Sequence, residues 1–442
     1  MNIFFLMLAV YVLALLGIGW WFGRGESEED YLIAGRDRPW WQVAFSKYAV
    51  TAGAAWFVTY TAFAYEYGLS VLTMIVGMMI GYGIFAFWGA KRIKKASDES
   101  GGFYTMGDLV KARTNSVHSE GLLNSVVLLT AFLYLTIGVV AGSVLMEEFN
   151  LVSYEFAVFL TFIITIGYVL MSGYKAVVLT DVLQGIIMMV LLAVVAWSFV
   201  DSTEMSLQDA AGSRSIDMLT VIMFAVFGAA ATFASPDRYQ LSYAGKNIKA
   251  ITKGFMAAAV PVFLTAVFLL LIGTLMYEID PTLNSSAVFP KALTEFLPAA
   301  IAPFALVMFF AALMSSVDTN LYVLASHLKT KATEKLTKSV TRKRIVVIGF
   351  GSALAALMFR DVVDLTIFVA GVQTAIAFPM IYLVAGGRSK VRFLYTIYGG
   401  LLGIFAGLYV YGLDPRAAAL VLVGNVLGLA ASYLAEKKVV NN

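Results

Sequence analysis

Apolar runs of about twenty residues recur along the whole chain, with only short polar stretches between them. Roughly 20 apolar residues are what a helix needs to cross hydrocarbon. A backbone in lipid must also satisfy its own N–H and C=O groups, which leaves helices and closed barrels as the spanning structures. The runs are too long for barrel strands, so the chain reads as an all-α integral membrane protein. Thirteen spans are expected, at 3–23, 41–66, 68–90, 120–146, 153–173, 175–200, 216–235, 249–277, 297–327, 343–359, 362–386, 392–412 and 415–435. Composition agrees: 60% of residues are hydrophobic and 13% charged, against roughly 45–50% and 25% in soluble domains. Spans and loops use up residues 1–442, which are read as one transmembrane domain.

Lysine and arginine set the orientation. The runs Lys91–Lys95, Arg238–Lys253, Lys329–Arg344, Arg388–Arg392 and Lys437–Lys438 fall on one side of a thirteen-span chain. Opposite loops are acidic or neutral, as at Glu147–Asn150, Asp201–Asp209 and Glu278–Asp280. The N-terminus is therefore expected outside and the C-terminus in the cytoplasm, in a plasma (inner) membrane.

Several function classes find no support. A net charge of +3 gives no reason to expect a nucleic-acid partner. The chain has no cysteine, and its two histidines, His118 and His327, lie at helix ends or loops. No Walker motif or Ser/His/Asp pattern is present, so no enzyme is indicated.

The most informative stretch is Phe309–His327, FFAALMSSVDTNLYVLASH. Ser315, Asp318 and Thr319 share one helical face, and Ala312 and Ser316 are one turn apart. A carboxylate inside a span costs roughly 2.5–3.5 kcal/mol on insertion scales. A row of oxygens with one negative charge suits a hard monovalent cation such as Na⁺. Equally, the serines could bond back to their own helix, with Asp318 at the membrane edge.

Other polar residues lie inside spans. Lys47 and Asp181 are expected at the same depth as Asp318, and membrane charges tend to pair. A cluster of Lys47 with Asp181 and Asp318 is therefore expected, unless Lys47 snorkels to the interface. Gln373 and Thr374 are mid-span, and Trp56 follows a small-residue run, TAGAA (Thr51–Ala55). A second such run, GAAA (Gly228–Ala231), lies in span seven. Spans two to six (41–200) and seven to eleven (216–386) are both sets of five, which permits an inverted repeat. The first helix of each set would then be broken, at TAGAA and at GAAA.

Five segments together resemble the sodium/solute symporter family, which includes sodium/proline, sodium/sugar and sodium/sialic acid transporters. They are YLIAGRDRPWW (Tyr31–Trp41), AYEYGLS (Ala64–Ser70), GYKAVVLTDVLQG (Gly173–Gly185), SPDRYQLSYAGK (Ser235–Lys246) and AALMSSVDTN (Ala311–Asn320). The resemblance implies a LeuT-like core of two inverted five-helix repeats (5+5). One extra helix (3–23) would precede the core and two (392–435) would follow it. It implies a Na⁺ site from the carbonyls of Ala49, Ala52 and Ala312 and the hydroxyls of Ser315 and Ser316. A second cation site of the sialic-acid type would map to Asp181, Ser315, Asp318 and Thr319. Lys47 is expected to replace that second cation. The substrate pocket would involve Thr51, Gly53, Trp56, Phe224, Phe227 and Gln373. Sugars are disfavoured, because Ala55, Trp56, Ala225 and Gly228 stand where sugar transporters present polar or aromatic groups. The expected activity is sodium-coupled import of a small organic solute, amino acid or carboxylate-like, by a monomer. A proton-coupled symporter using Asp181 or Asp318 is the alternative, as is a solute-sensing membrane subunit.

Overall fold

The computed structural model describes residues 2–23, 27–202, 216–328 and 337–441. Eighteen α-helices follow one another: α1 (Asn2–Gly23), α2 (Glu28–Ile33), α3 (Trp40–Thr51), α4 (Ala54–Tyr67), α5 (Leu72–Ile84), α6 (Ala90–Glu99), α7 (Met106–Thr114), α8 (Val117–Glu148) and α9 (Tyr154–Ser202). Then come α10 (Met218–Ala234), α11 (Pro236–Ala244), α12 (Ile248–Ile279), α13 (Val288–Phe296), α14 (Ala302–His327), α15 (Lys338–Met358), α16 (Val362–Val384), α17 (Lys390–Tyr411) and α18 (Ala417–Asn441). Among the described residues nine helices are long and apolar enough to cross a membrane, or ten if the bent pair α10–α11 is one span.

Helix α14 is the axis of the molecule. From Ala305 to His327 every residue except Asn320 is buried. Helices α8 and α9 pack along it, and α1, α3, α4 and α15 complete its surroundings. The outer helices turn large apolar side chains outward, among them Leu13, Trp21, Trp197, Val347 and Tyr409. In water such a belt would drive association; in a bilayer it is the expected lipid-facing surface. Helices α17 and α18 pack tightly on each other and lie against α16. A Cβ added at Gly399 would lie 2.1 Å from the carbonyl oxygen of Gly424, and one at Gly403 2.4 Å from that of Leu420. Small residues let membrane helices approach this closely, where packing replaces the hydrophobic effect as the driving force.

The expected spans are modified in three places. Residues 41–66 form two helices, α3 and α4, separated by Ala52 (φ −83, ψ 41) and Gly53 (φ −72, ψ 167). This is the break expected at TAGAA. The break expected at GAAA is displaced: α10 runs through Gly228–Ala231, and the chain turns at Ser235 (φ −84, ψ 118), bending 44° into α11. Pro236 explains the position. A residue before proline is pushed towards extended backbone, and proline itself is tolerated in a helix's first turn. Gly228 serves packing instead, since a Cβ there would lie 2.2 Å from the Met74 carbonyl of α5. Third, the expected spans 153–173 and 175–200 follow each other without a loop as the two helical segments of α9, separated at Gly173, whose non-helical backbone (φ 56, ψ −158) kinks the chain. Helix α14 begins at Ala302, a little later than the expected 297.

Gly173 combines a left-handed φ with a crowded site, because a Cβ would meet the Tyr31 ring at 2.4 Å. Gly173→Ala is expected to destabilise by about 2–4 kcal/mol, from backbone strain and overpacking together. Thermal unfolding of the purified protein in detergent would show a lowered midpoint; an unchanged one would exclude the strain.

Candidate functional site

The site begins where α3 stops. The last four carbonyls of a helix have no intrahelical donor. At the end of α3 these belong to residues around Ala49 and Ala52, beside α14. The approach is close: a Cβ at Gly53 would lie 1.7 Å from Ser316 Oγ and 3.5 Å from the Val50 carbonyl oxygen. Only glycine allows the broken segment to meet the serine hydroxyl. Ser316 Oγ donates to the Ala312 carbonyl at 2.8 Å, one turn back. Ala49, Ala52, Ala312 and Ser315 are fully buried and Ser316 nearly so. Thus the broken end of α3 meets the Ser316 hydroxyl of α14 at Gly53, among buried residues.

Beside this lies a buried carboxylate. Asp181 of α9 accepts from Ser46 Oγ at 2.5 Å and from Ser315 Oγ at 2.6 Å. One side chain therefore joins α3, α9 and α14. One turn further along α9, Gln184 Nε2 donates to Tyr11 Oη at 2.9 Å, which ties in α1. Asp318 is fully buried on α14, one turn beyond Ser315.

The expected grouping of Lys47 with Asp181 and Asp318 gains a member: Lys47 acts electrostatically on Asp181, but its direct ion pair is with a residue not anticipated, Asp237. Lys47 is buried and its ammonium forms an ion pair with Asp237. The displaced break is the reason: turning at Ser235 places Asp237 in the first turn of α11, in front of α3. Asp237 was missed, although Ser-Pro-Asp is a legible helix start, because its partner lies 190 residues away in sequence.

A cavity of about 160 Å³ lies between α3/α4, α8, α10/α11, α14 and α16. Thr51, Gly53, Trp56, Phe227 and Gln373 line it, as do Ser316 and Thr319. Phe224 does not: it packs on Phe63 and Tyr67, with ring centroids 5.8 and 5.2 Å away, and faces a separate small cavity near Asp414. Phe224 and Phe227 are almost a full turn apart and both border that small cavity, but α4 covers Phe224 from the larger one. Trp56 stands against Tyr60 at 5.1 Å, forming an aromatic wall. Tyr134 Oη donates to Gln373 Oε1 at 3.2 Å, and Thr51 Oγ1 lies 2.7 Å from Tyr82 Oη. Tyr60, Tyr134 and Arg238 were not anticipated. Tyr60 is one turn from Trp56 and was readable; Tyr134 stands in no motif.

Comparison with known proteins follows this geometry. The family model described as the sodium:solute symporter family matches residues 31–385. The chain belongs to the sodium:solute symporter family. It is a sodium-coupled symporter of a solute, with Na⁺ as its coupling ion. The symporter is 27% identical over 381 residues to the osmoregulated proline transporter OpuE of Bacillus subtilis (strain 168), covering 78% of this chain and 74% of that protein. It is 29% identical over 196 residues to a sodium/proline symporter of Staphylococcus aureus (strain Newman), a match spanning 43% of this chain and 38% of that protein. Its fold matches a Na⁺-coupled sialic acid symporter in a substrate-bound outward-open state, with a TM-score of 0.78, 19% identity and 98% of each chain covered. It also matches Mhp1, a nucleobase-cation-symport-1 family transporter in a closed conformation, with a TM-score of 0.62, 13% identity and coverage of 93% and 94%.

The Lys47–Asp237 pair generates a prediction about the symporter's stability. Removing one partner of a buried pair leaves an uncompensated charge and costs about 3–5 kcal/mol, whereas replacing both with apolar residues is often neutral. Lys47→Met is expected to lower the unfolding midpoint strongly, and Lys47→Met/Asp237→Leu to recover most of the loss. Additive losses in the double variant would show that the two side chains are not coupled.

Proposed function

We propose that this symporter imports a small organic solute, amino acid or carboxylate-like, together with Na⁺ bound between α3 and α14. The observation that carries the reading is the contact of Ser316 with the break at Gly53. The ion is held by the carbonyls of Ala49, Ala52 and Ala312 and the hydroxyls of Ser315 and Ser316. Their donor protons already point elsewhere, towards Asp181 and the Ala312 carbonyl, so lone pairs remain for a cation. The solute occupies the adjacent cavity, against Trp56, Thr51, Gly53, Phe227 and Gln373. Asp181, Asp318 and Thr319 form a second polar group beside the ion, and Lys47 acts on Asp181 from its pair with Asp237.

The core is taken as a LeuT-like pair of inverted five-helix repeats, within thirteen spans, the N-terminus outside and the C-terminus in the cytoplasm. The packing supports this. Helices α3 and α4 lie against α12, and α10 lies against α5. Inversion of one five-helix set onto the other exchanges these two contacts. Both first helices are also broken, at Ala52–Gly53 and at Ser235. The protein works as a monomer in the plasma membrane. Na⁺ joins α3 to α14, and its differential affinity for two states drives the exchange of access. A 100 mV potential contributes roughly 2.3 kcal/mol per charge, and a tenfold Na⁺ gradient about 1.4 kcal/mol.

The test is the melting temperature of purified protein in NaCl and in KCl at equal ionic strength. Sodium at 10–100 times its dissociation constant is expected to stabilise by about 1.4–2.7 kcal/mol. The rise should vanish in Ser315→Ala/Ser316→Ala. A rise that survives in that variant moves the ion elsewhere, and uptake that follows pH without sodium selects proton coupling.

A further inference from the structure

The cavity's charged end carries an imbalance. Lys47, Asp237 and Arg238 all line it. Lys47 and Asp237 neutralise each other. Arg238 is 4% exposed, and the carboxylate that acts on it, Asp237, is the same one that Lys47 pairs with. Its Nη1 donates to the Ala231 carbonyl, its guanidinium lies 5.2 Å from the Tyr82 ring centroid, and its Nε has no partner. A buried guanidinium with an unused donor, sharing its one nearby carboxylate with a lysine, is costly unless a further anion completes it. Bound Na⁺ at the neighbouring Ser316 would add a second positive charge.

We infer that Arg238 anchors the carboxylate of the transported solute, and that the solute is a small monocarboxylate anion. Arginine's planar fork matches a carboxylate geometrically. The one acid lining the cavity, Asp237, is already held by Lys47, so an ammonium group on the solute finds no carboxylate there. The remaining wall, Trp56 with Tyr60, offers apolar and aromatic contact to the rest of the molecule. Size follows from volume: a cavity near 150 Å³ accommodates benzene, so about 160 Å³ suits a solute of roughly six to ten non-hydrogen atoms. The inference rests on the cavity being the solute site of a sodium symporter, as proposed above.

The experiment uses the full-length purified protein and matched probes: propionate with propionamide, benzoate with benzamide, and L-proline as a zwitterion. Melting temperature is measured in NaCl and KCl, with and without each probe. The sodium-induced shift without probe reports on the ion site and is expected in wild type and in Arg238→Gln alike. Its absence from wild type counts against sodium coupling, not against the anion anchor. Beyond it, a carboxylate is expected to raise the midpoint further while its amide does not. Arg238→Gln should weaken the acid's apparent affinity roughly tenfold to a hundredfold, the range for hydrogen bonds to charged groups. Arg238→Lys should keep the acid-over-amide preference at lower affinity. No acid-selective shift in the wild type overturns the inference, as does a stronger response to L-proline than to the simple acids. An acid preference that persists unchanged in Arg238→Gln overturns the assignment of the anchor.

Discussion

Everything in this molecule is arranged around an interruption of helical hydrogen bonding in the middle of an apolar bundle. Ala52 and Gly53 leave the helical region, and the carbonyls that end α3 lose their partners. In hydrocarbon that irregularity is tolerated only where protein buries it or where it lines a polar cavity. Here α14 provides the cover, and Gly53 allows Ser316 to come into contact with it. The burial of α14 along nearly its whole length follows from that role.

The buried charges obey one rule at three levels of satisfaction. Asp181 is held by two hydroxyl donors, Ser46 and Ser315, which stabilise a carboxylate without adding a counter-charge. Lys47 and Asp237 pair across α3 and α11, so the two broken spans are joined by charge as well as by packing. Arg238 has backbone and aromatic partners and shares the Asp237 carboxylate with Lys47. Desolvation makes each of these costly alone. The gradation follows position: the hydroxyl-held acid lies against Ser315, away from the cavity, while the ion pair and the guanidinium border it. Charge left incomplete beside a cavity is available to what enters it.

Glycine does two different things in this fold. At Gly228, Gly399 and Gly403 it permits contact between helix backbones, and the helices stay regular. At Gly173 it permits a left-handed residue inside a long helix, where the Tyr31 ring leaves no room for a side chain. At Gly53 it brings an interrupted backbone against a hydroxyl. The GAAA run looked like a break and proved to be a packing surface, because composition alone cannot tell the two uses apart.

The residues Ser315 and Ser316 were legible in the sequence because helical spacing is local: positions three and four apart must share a face. Apolar runs likewise made the helical membrane fold readable, since the bilayer imposes one length. The break at Ala52–Gly53 was readable from its small residues. Partnership was another matter. Lys47 was expected beside Asp181 and Asp318 from their common depth, but depth leaves rotation about the bilayer normal undefined. Pro236 placed the second break beyond GAAA, and that shift turned Asp237 towards Lys47. Phe224 and Phe227 were grouped by sequence and separated by which neighbour covers each. The sequence alone determined the elements, their apolar faces and the row of oxygens on α14; the tertiary structure decided which charge meets which, because that depends on how helices distant in the chain are rotated against one another.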